Sequence, residues 1–149
     1  MPDIQLLKLR AMDSEDVQVI SAVLQDAIVP VCDMAFQEED KNFVIVTQRL
    51  RRENAEPVDR ICCALTIRGV KTVQTQGIDL RASDRILDLL AIMINDVQPE
   101  QGAQVLSLIF AGDAKIRLEV ADWSALAEDF GEPWPAMCNP CHDSASIAS

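Results

Sequence analysis

The chain has 149 residues, 49% of them hydrophobic and 25% charged, and a formal net charge of −11. That is the composition of one ordinary globular domain, too apolar for a disordered chain and long enough to bury about two-thirds of its unfolded surface. The acidity argues against non-specific binding to DNA, RNA or anionic membrane, and four Phe, two Trp and no Tyr imply an aliphatic core.

In chain order, Met1-Pro2-Asp3 carries no basic, then apolar, leader pattern, and five Cys is an odd number, so the expectation is reduced thiols in the cytoplasm. Leu7 and Leu9 mark a short first strand. Asp13-Ser14-Glu15-Asp16 then offers a helix N-cap with acids in the first turn. Val17, Ile20, Leu24, Ala27 and Ile28 follow at helical spacing until Pro30 stops them. Val31 to Phe36 and Phe43 to Arg51 read as a hairpin across the polar turn Glu38 to Asn42. Ile61, Cys63, Leu65 and Ile67 alternate with their neighbours in a half-buried strand, Gly69 allows a bulge, and Val70 to Gln76 is a further strand.

Ala82-Ser83-Asp84 predicts a second helix reaching about Asn95. It carries two apolar stripes, Ile86, Leu89, Met93 and Val97 on one side and Leu87, Leu90, Ala91 and Ile94 on the other. Either the C-terminal segment covers the outer stripe, or Leu87, Leu90 and Ile94 form a dimer face. Val105 to Phe110 and Lys115 to Ala121 make a second hairpin, and Asp122 caps a short helix from Trp123 to Phe130 that Gly131 closes. The two halves look like a βαββ duplication. Residues 1–136 thus read as a single α+β domain, an antiparallel sheet of about seven strands with helices packed on one face. Residues 137–149 read as a flexible tail.

Cys138-Asn139-Pro140-Cys141-His142 has the C-x-x-C-H spacing of haem attachment, of a redox pair, or of three zinc ligands. A tail without an export signal, a helix or a fourth ligand favours an incidental thiol pair instead. His142 is the only His, so no His-based triad can form in one chain, and the five glycines match no phosphate-binding loop. No catalytic, cofactor-binding or metal residue is assigned. The cations are more telling, because many fall on strands. Arg49, Arg51, Arg60, Arg68 and Arg117 are expected on the outer face of the sheet, as a solvated surface with scattered ion pairs or as an anion or partner surface.

Phe110-Ala111-Gly112-Asp113, Ile116-Arg117-Leu118, Gly131-Glu132-Pro133-Trp134-Pro135 and Pro140-x-His142 resemble a family of small alphaproteobacterial proteins of unknown function. The resemblance covers nearly the whole chain and implies no activity, cofactor or catalytic residue. Two readings stay open. The favoured one is a non-catalytic cytosolic protein-interaction or adaptor domain with an unknown protein partner and a tendency to form a homodimer, using no nucleic acid or membrane. The alternative is a small-molecule or anion-binding domain using the basic sheet face.

Overall fold

The computed structural model describes residues 5–53, 58–82 and 84–136. Its elements are β1 (Lys8–Ala11), α1 (Ser14–Val23), β2 (Ile28–Pro30), β3 (Met34–Gln37), β4 (Asn42–Leu50), β5 (Asp59–Gln76), β6 (Ile86–Gln98), β7 (Ala103–Phe110) and β8 (Ala114–Pro135). Strands take 64% of the structure, and six of them close into a barrel. The ring runs β8–β5–β4–β2–β6–β7 and back to β8, with every neighbouring pair antiparallel. β1 extends β8, and β3 extends β4. No described helix is long and apolar enough to cross a membrane.

The expected α+β fold, an open sheet under helices, is therefore overturned, and the βαββ duplication falls with it. The first helix starts where its cap predicts: the Asp13 carboxylate accepts the Asp16 N–H at 2.8 Å. It stops at Val23, however, and Ile28–Pro30 is strand rather than the helix's last turn. The second helix is absent. Residues 86–98 form β6, whose register slips between Leu89 and Ala91. The slip explains the misreading. Leu87 and Leu89 face inward before it, Ile92 and Ile94 after it, so a two-residue period broken once imitates a helical one. The third predicted helix is also strand. Trp123, Ala125, Ala127 and Asp129 alternate inward along β8, and the supposed caps, Asp122 and Gly131, hold positive φ within the strand. Trp134 does not cover Leu87, Leu90 or Ile94; it pairs with Arg60.

The long strands β5 and β8 each serve both halves of the barrel and must turn a corner together. They do so where β5 shifts register around Gly69 (φ 83°), opposite Asp122 (φ 48°) on β8. A side chain at Gly69 would fall against the Ala121 carbonyl oxygen and the Trp123 Cα, both backbone. Only glycine fits the approach and the dihedral together. Inside the first half, residues stack in layers across the ladder: Phe43, Ile67, Ala125 and Ala11, then Ile45, Leu65, Ala127 and Leu9. In the second half Leu106, Leu108, Ile116 and Leu118 meet Leu89 and Ile92. Val17 and Ile20 of α1 and its C-cap Leu24 are buried in the same core, and the Ile92 N–H donates to Ser21 Oγ at 2.9 Å, where the β2 ladder has ended.

Gly69→Ala should be destabilising by more than the about 1–2 kcal/mol of left-handed strain alone. Gly112→Ala, also at positive φ but with open space around it, should lose only the strain. Denaturant unfolding of both variants checks the difference.

Candidate functional site

Two places concentrate polar chemistry. One is sealed at an end of the barrel, and the other is open on its outer surface.

The sealed one continues the inward layers. After two apolar layers, the next contains Thr47, Cys63 and Asp129, and the next on β4 is Arg49. Arg49 is 1% exposed, among the largest fully buried side chains of the core. A buried guanidinium needs all five N–H groups satisfied, and here they are. Nε donates to Asp129 Oδ1 at 2.8 Å, and Nη2 to Asp129 Oδ2 at 2.6 Å. Nη2 and Nη1 also reach Glu53 Oε2 and Oε1 at 2.7 and 3.1 Å, and Nη1 reaches the Leu50 carbonyl at 3.2 Å. Asp129 Oδ2 further accepts the Leu7 N–H, and the Leu7 carbonyl accepts the Asp129 N–H, so the segment before β1 is tied to the same carboxylate. Thr47 Oγ1 donates to the Cys63 carbonyl at 2.8 Å.

Burial alone would lower the Arg49 pKa, yet the Asp129 and Glu53 hydrogen bonds raise it above the ordinary value. Burial likewise pushes the Asp129 carboxyl up, but the Arg49 hydrogen bonds and the Leu7 amide outweigh it and hold the group below its usual range. The hydrogen bonds from Arg49 hold Glu53 down as well. Burial, with Asp129 beside it, pushes the Cys63 thiol up to about 12, so it stays protonated and is no nucleophile. With every Arg49 donor matched, this cluster ties strands together rather than performing chemistry.

The open site lies on the outer face of the second half. A cleft of about 250 Å3 is lined by Thr72 and Gln74 of β5, Arg117 and Glu119 of β8, Ala103 and Val105 of β7, and Val97 of β6. The register sets the arrangement. Arg117 stands opposite Gln74 and Ser107, and Glu119 opposite Thr72 and Val105. Val97 falls in the second irregularity of β6, between Asp96 and Gln98. At the same end Trp123 Nε1 donates to Gln104 Oε1 at 2.7 Å, and Gln104 Nε2 donates to Asp96 Oδ1 at 2.9 Å, which fixes the β6–β7 end against β8. Arg117 and Glu119 are exposed and two residues apart on one face, yet neither has an ion-pair partner within 4.0 Å among the described residues.

The five arginines expected on one surface are thus dispersed. Arg49 is buried as above, and Arg51 is buried at 7% exposure, with Nη1 3.4 Å from Asp59 Oδ2. Both correct the solvated-face expectation. Arg60, half-buried and donating to the Gln48 carbonyl at 2.8 Å, and the exposed Arg68 share the outer face of β5 in the first half. Arg117 alone of the five lines the cleft. Of the expected dimer face, Leu87 is buried, Ile94 packs against the core and Leu90 points out. The outer row of β6 is instead Ile86, Leu90, Met93 and Val97, each between 43% and 47% exposed. Cys138, Cys141 and His142 lie outside the described residues. Among those described, no three His, Cys, Asp or Glu side chains converge on a metal position.

The comparisons agree with the family resemblance. The profile of a family described as "Protein of unknown function (DUF2948)" matches residues 7–142. The chain belongs to that family. The matched span takes in every strand from β1 to β8. No curated protein and no solved structure matches.

Asp129→Asn, which leaves Arg49 in place but removes its fully buried counter-charge, should cost about 3–5 kcal/mol at neutral pH. Both partner carboxyls titrate below their unfolded values of 3.8 and 4.5. Their contribution is therefore complete above about pH 4.5 and is lost as pH falls through the folded values. Urea unfolding between pH 3 and pH 7, in the parent and in Asp129→Asn, should show the steep acid loss in the parent and a shallower one in the variant.

Proposed function

We propose that this chain is a non-catalytic cytoplasmic binding domain whose site is the outer cleft, holding a small polar ligand. The observation that carries this reading is the pair Arg117 and Glu119, opposite charges lining one cavity without neutralising each other. An exposed pair on a solvated sheet is free to collapse into contact, whereas charges set apart beside Thr72, Gln74 and an apolar wall are arranged for a guest. The sealed Arg49 cluster and the protonated Cys63 thiol support a domain without covalent chemistry. Unbridged thiols at Cys32 and Cys63 suit a reducing compartment, and the charge of −11 disfavours nucleic acid as the partner. A screen of small charged metabolites by amide chemical-shift mapping tests it. Shifts should gather at Thr72, Gln74, Ala103, Val105, Arg117 and Glu119, and vanish in Arg117→Gln. Shifts that never favour these residues contradict the reading.

The outer row of β6 favours a second reading, self-association. Ile86, Leu90, Met93 and Val97 make an apolar strip interrupted by Asp88 and Asn95. On a chain this acidic, copies can approach closely only where carboxylates are sparse, so a twofold contact between two β6 faces suits a homodimer. Light scattering at micromolar concentration should then give twice the 16.5 kDa of one chain, and Leu90→Asp should return it to one. A monomer in the parent contradicts this reading and leaves the cleft untouched.

A further inference from the structure

Resting on the cleft reading, we infer that the ligand is a small zwitterion in which a carboxylate and an ammonium flank a short apolar group, the chemistry of a neutral aliphatic α-amino acid. Three features of the lining carry this. First, the two charges are opposite in sign and lie on consecutive outward positions of β8, about 7 Å apart at the backbone by strand geometry. Side chains of this length can converge on two groups joined through a single carbon. A ligand with one charge would leave either Arg117 or Glu119 facing it with the wrong sign.

Second, the polar uncharged neighbours are distributed to match. Gln74 stands opposite Arg117, where its amide can add a donor to the guanidinium around a carboxylate. Thr72 stands opposite Glu119, where its hydroxyl oxygen can accept from an ammonium beside the carboxylate.

Third, the rest of the wall is small and apolar. Val105 lies across from Glu119, with Ala103 two residues before it and Val97 lining the same cleft from the irregularity in β6. Val105 is only 8% exposed although it faces outward, so the wall is recessed and suits a short aliphatic group. About 250 Å3 accommodates a molecule of this size. Arg117 therefore sets the carboxylate end, Glu119 the ammonium, and Ala103, Val105 and Val97 the side chain.

The test uses the full chain and three probes of one shape: L-valine, its deaminated analogue 3-methylbutanoate, and its decarboxylated analogue 2-methylpropan-1-amine. Titration calorimetry with amide shift mapping should show L-valine saturating the cleft residues. Each analogue should bind at least about tenfold more weakly, since a charge-assisted hydrogen bond is lost in each case. Arg117→Gln should remove the advantage of L-valine over the amine, and Glu119→Gln its advantage over the carboxylate. Equal binding of 3-methylbutanoate and L-valine overturns the zwitterion inference and turns the cleft into an anion site. L-valine that leaves the cleft unperturbed at millimolar concentration overturns it too. In both cases the broader cleft reading survives if another small metabolite shifts the same residues, and falls if none does.

Discussion

A sheet with one short helix beside it has two ways to hide its edges: shorten them, or bring them together. This barrel brings them together through a seam only three residues long. Ile28, Val29 and Pro30 of β2 pair with Ile86 to Asp88 of β6, while Ile28 alone reaches Gln48 of β4. Flanking backbone bonds lengthen the seam at both ends. Asp26 and Ala27 exchange bonds with Leu89, and the Val31 N–H reaches the Arg85 carbonyl. Asp26 adopts φ 67° to bring the chain out of α1 into this position. Pro30 lacks an N–H, and its place at the end of β2 lets the ladder finish there without a missing bond.

Inside and outside follow from that closure. The alternation of β4, β5 and β8 puts Thr47, Cys63, Asp129 and Arg49 on the enclosed side, where a charge must be fully matched. The same alternation, past the corner at Gly69 and Asp122, turns Arg117 and Glu119 outward among Thr72, Gln74 and Val105. One strand, β8, thus supplies the acid that is neutralised in the interior and the two charges that stay open on the surface. Burial separates their roles. Asp129 holds three strands and the Leu7 segment in place, and the outward pair is left with its charges unspent.

Much of this was legible in the sequence, element by element. The alternation of Ile61 to Ile67, the cap at Asp13 and the hairpin around Gly112 are local signals, and local hydrogen bonds decide them. What misled was a change of phase. The irregularity after Leu89 gave β6 a helix-like spacing, and Asp122 and Gly131 have the chemistry of helix caps while serving as bends within β8. Small inward residues, Ala125 and Ala127, hid the period of β8 because alanine scores as a helix former. The arginines could not be sorted from sequence, since Arg49 and Arg51 differ from Arg117 only in which side of a strand meets a carboxylate. The pairing of Arg49 with Asp129 spans 80 residues and leaves no trace in local pattern.

Closure of the ring at residues 86–98 decides the whole account, because an open sheet under a helix there would dissolve both the sealed cluster and the cleft. Solution NMR reads it directly, through backbone shifts of residues 86–94 and cross-strand contacts at the seam. A closed ring gives extended-strand shifts, an Hα contact or interstrand amide contact between Val29 and Leu87, and slow amide exchange at Leu89. Helical shifts from Ile86 to Ile94, with sequential amide contacts and none to Val29, would contradict it.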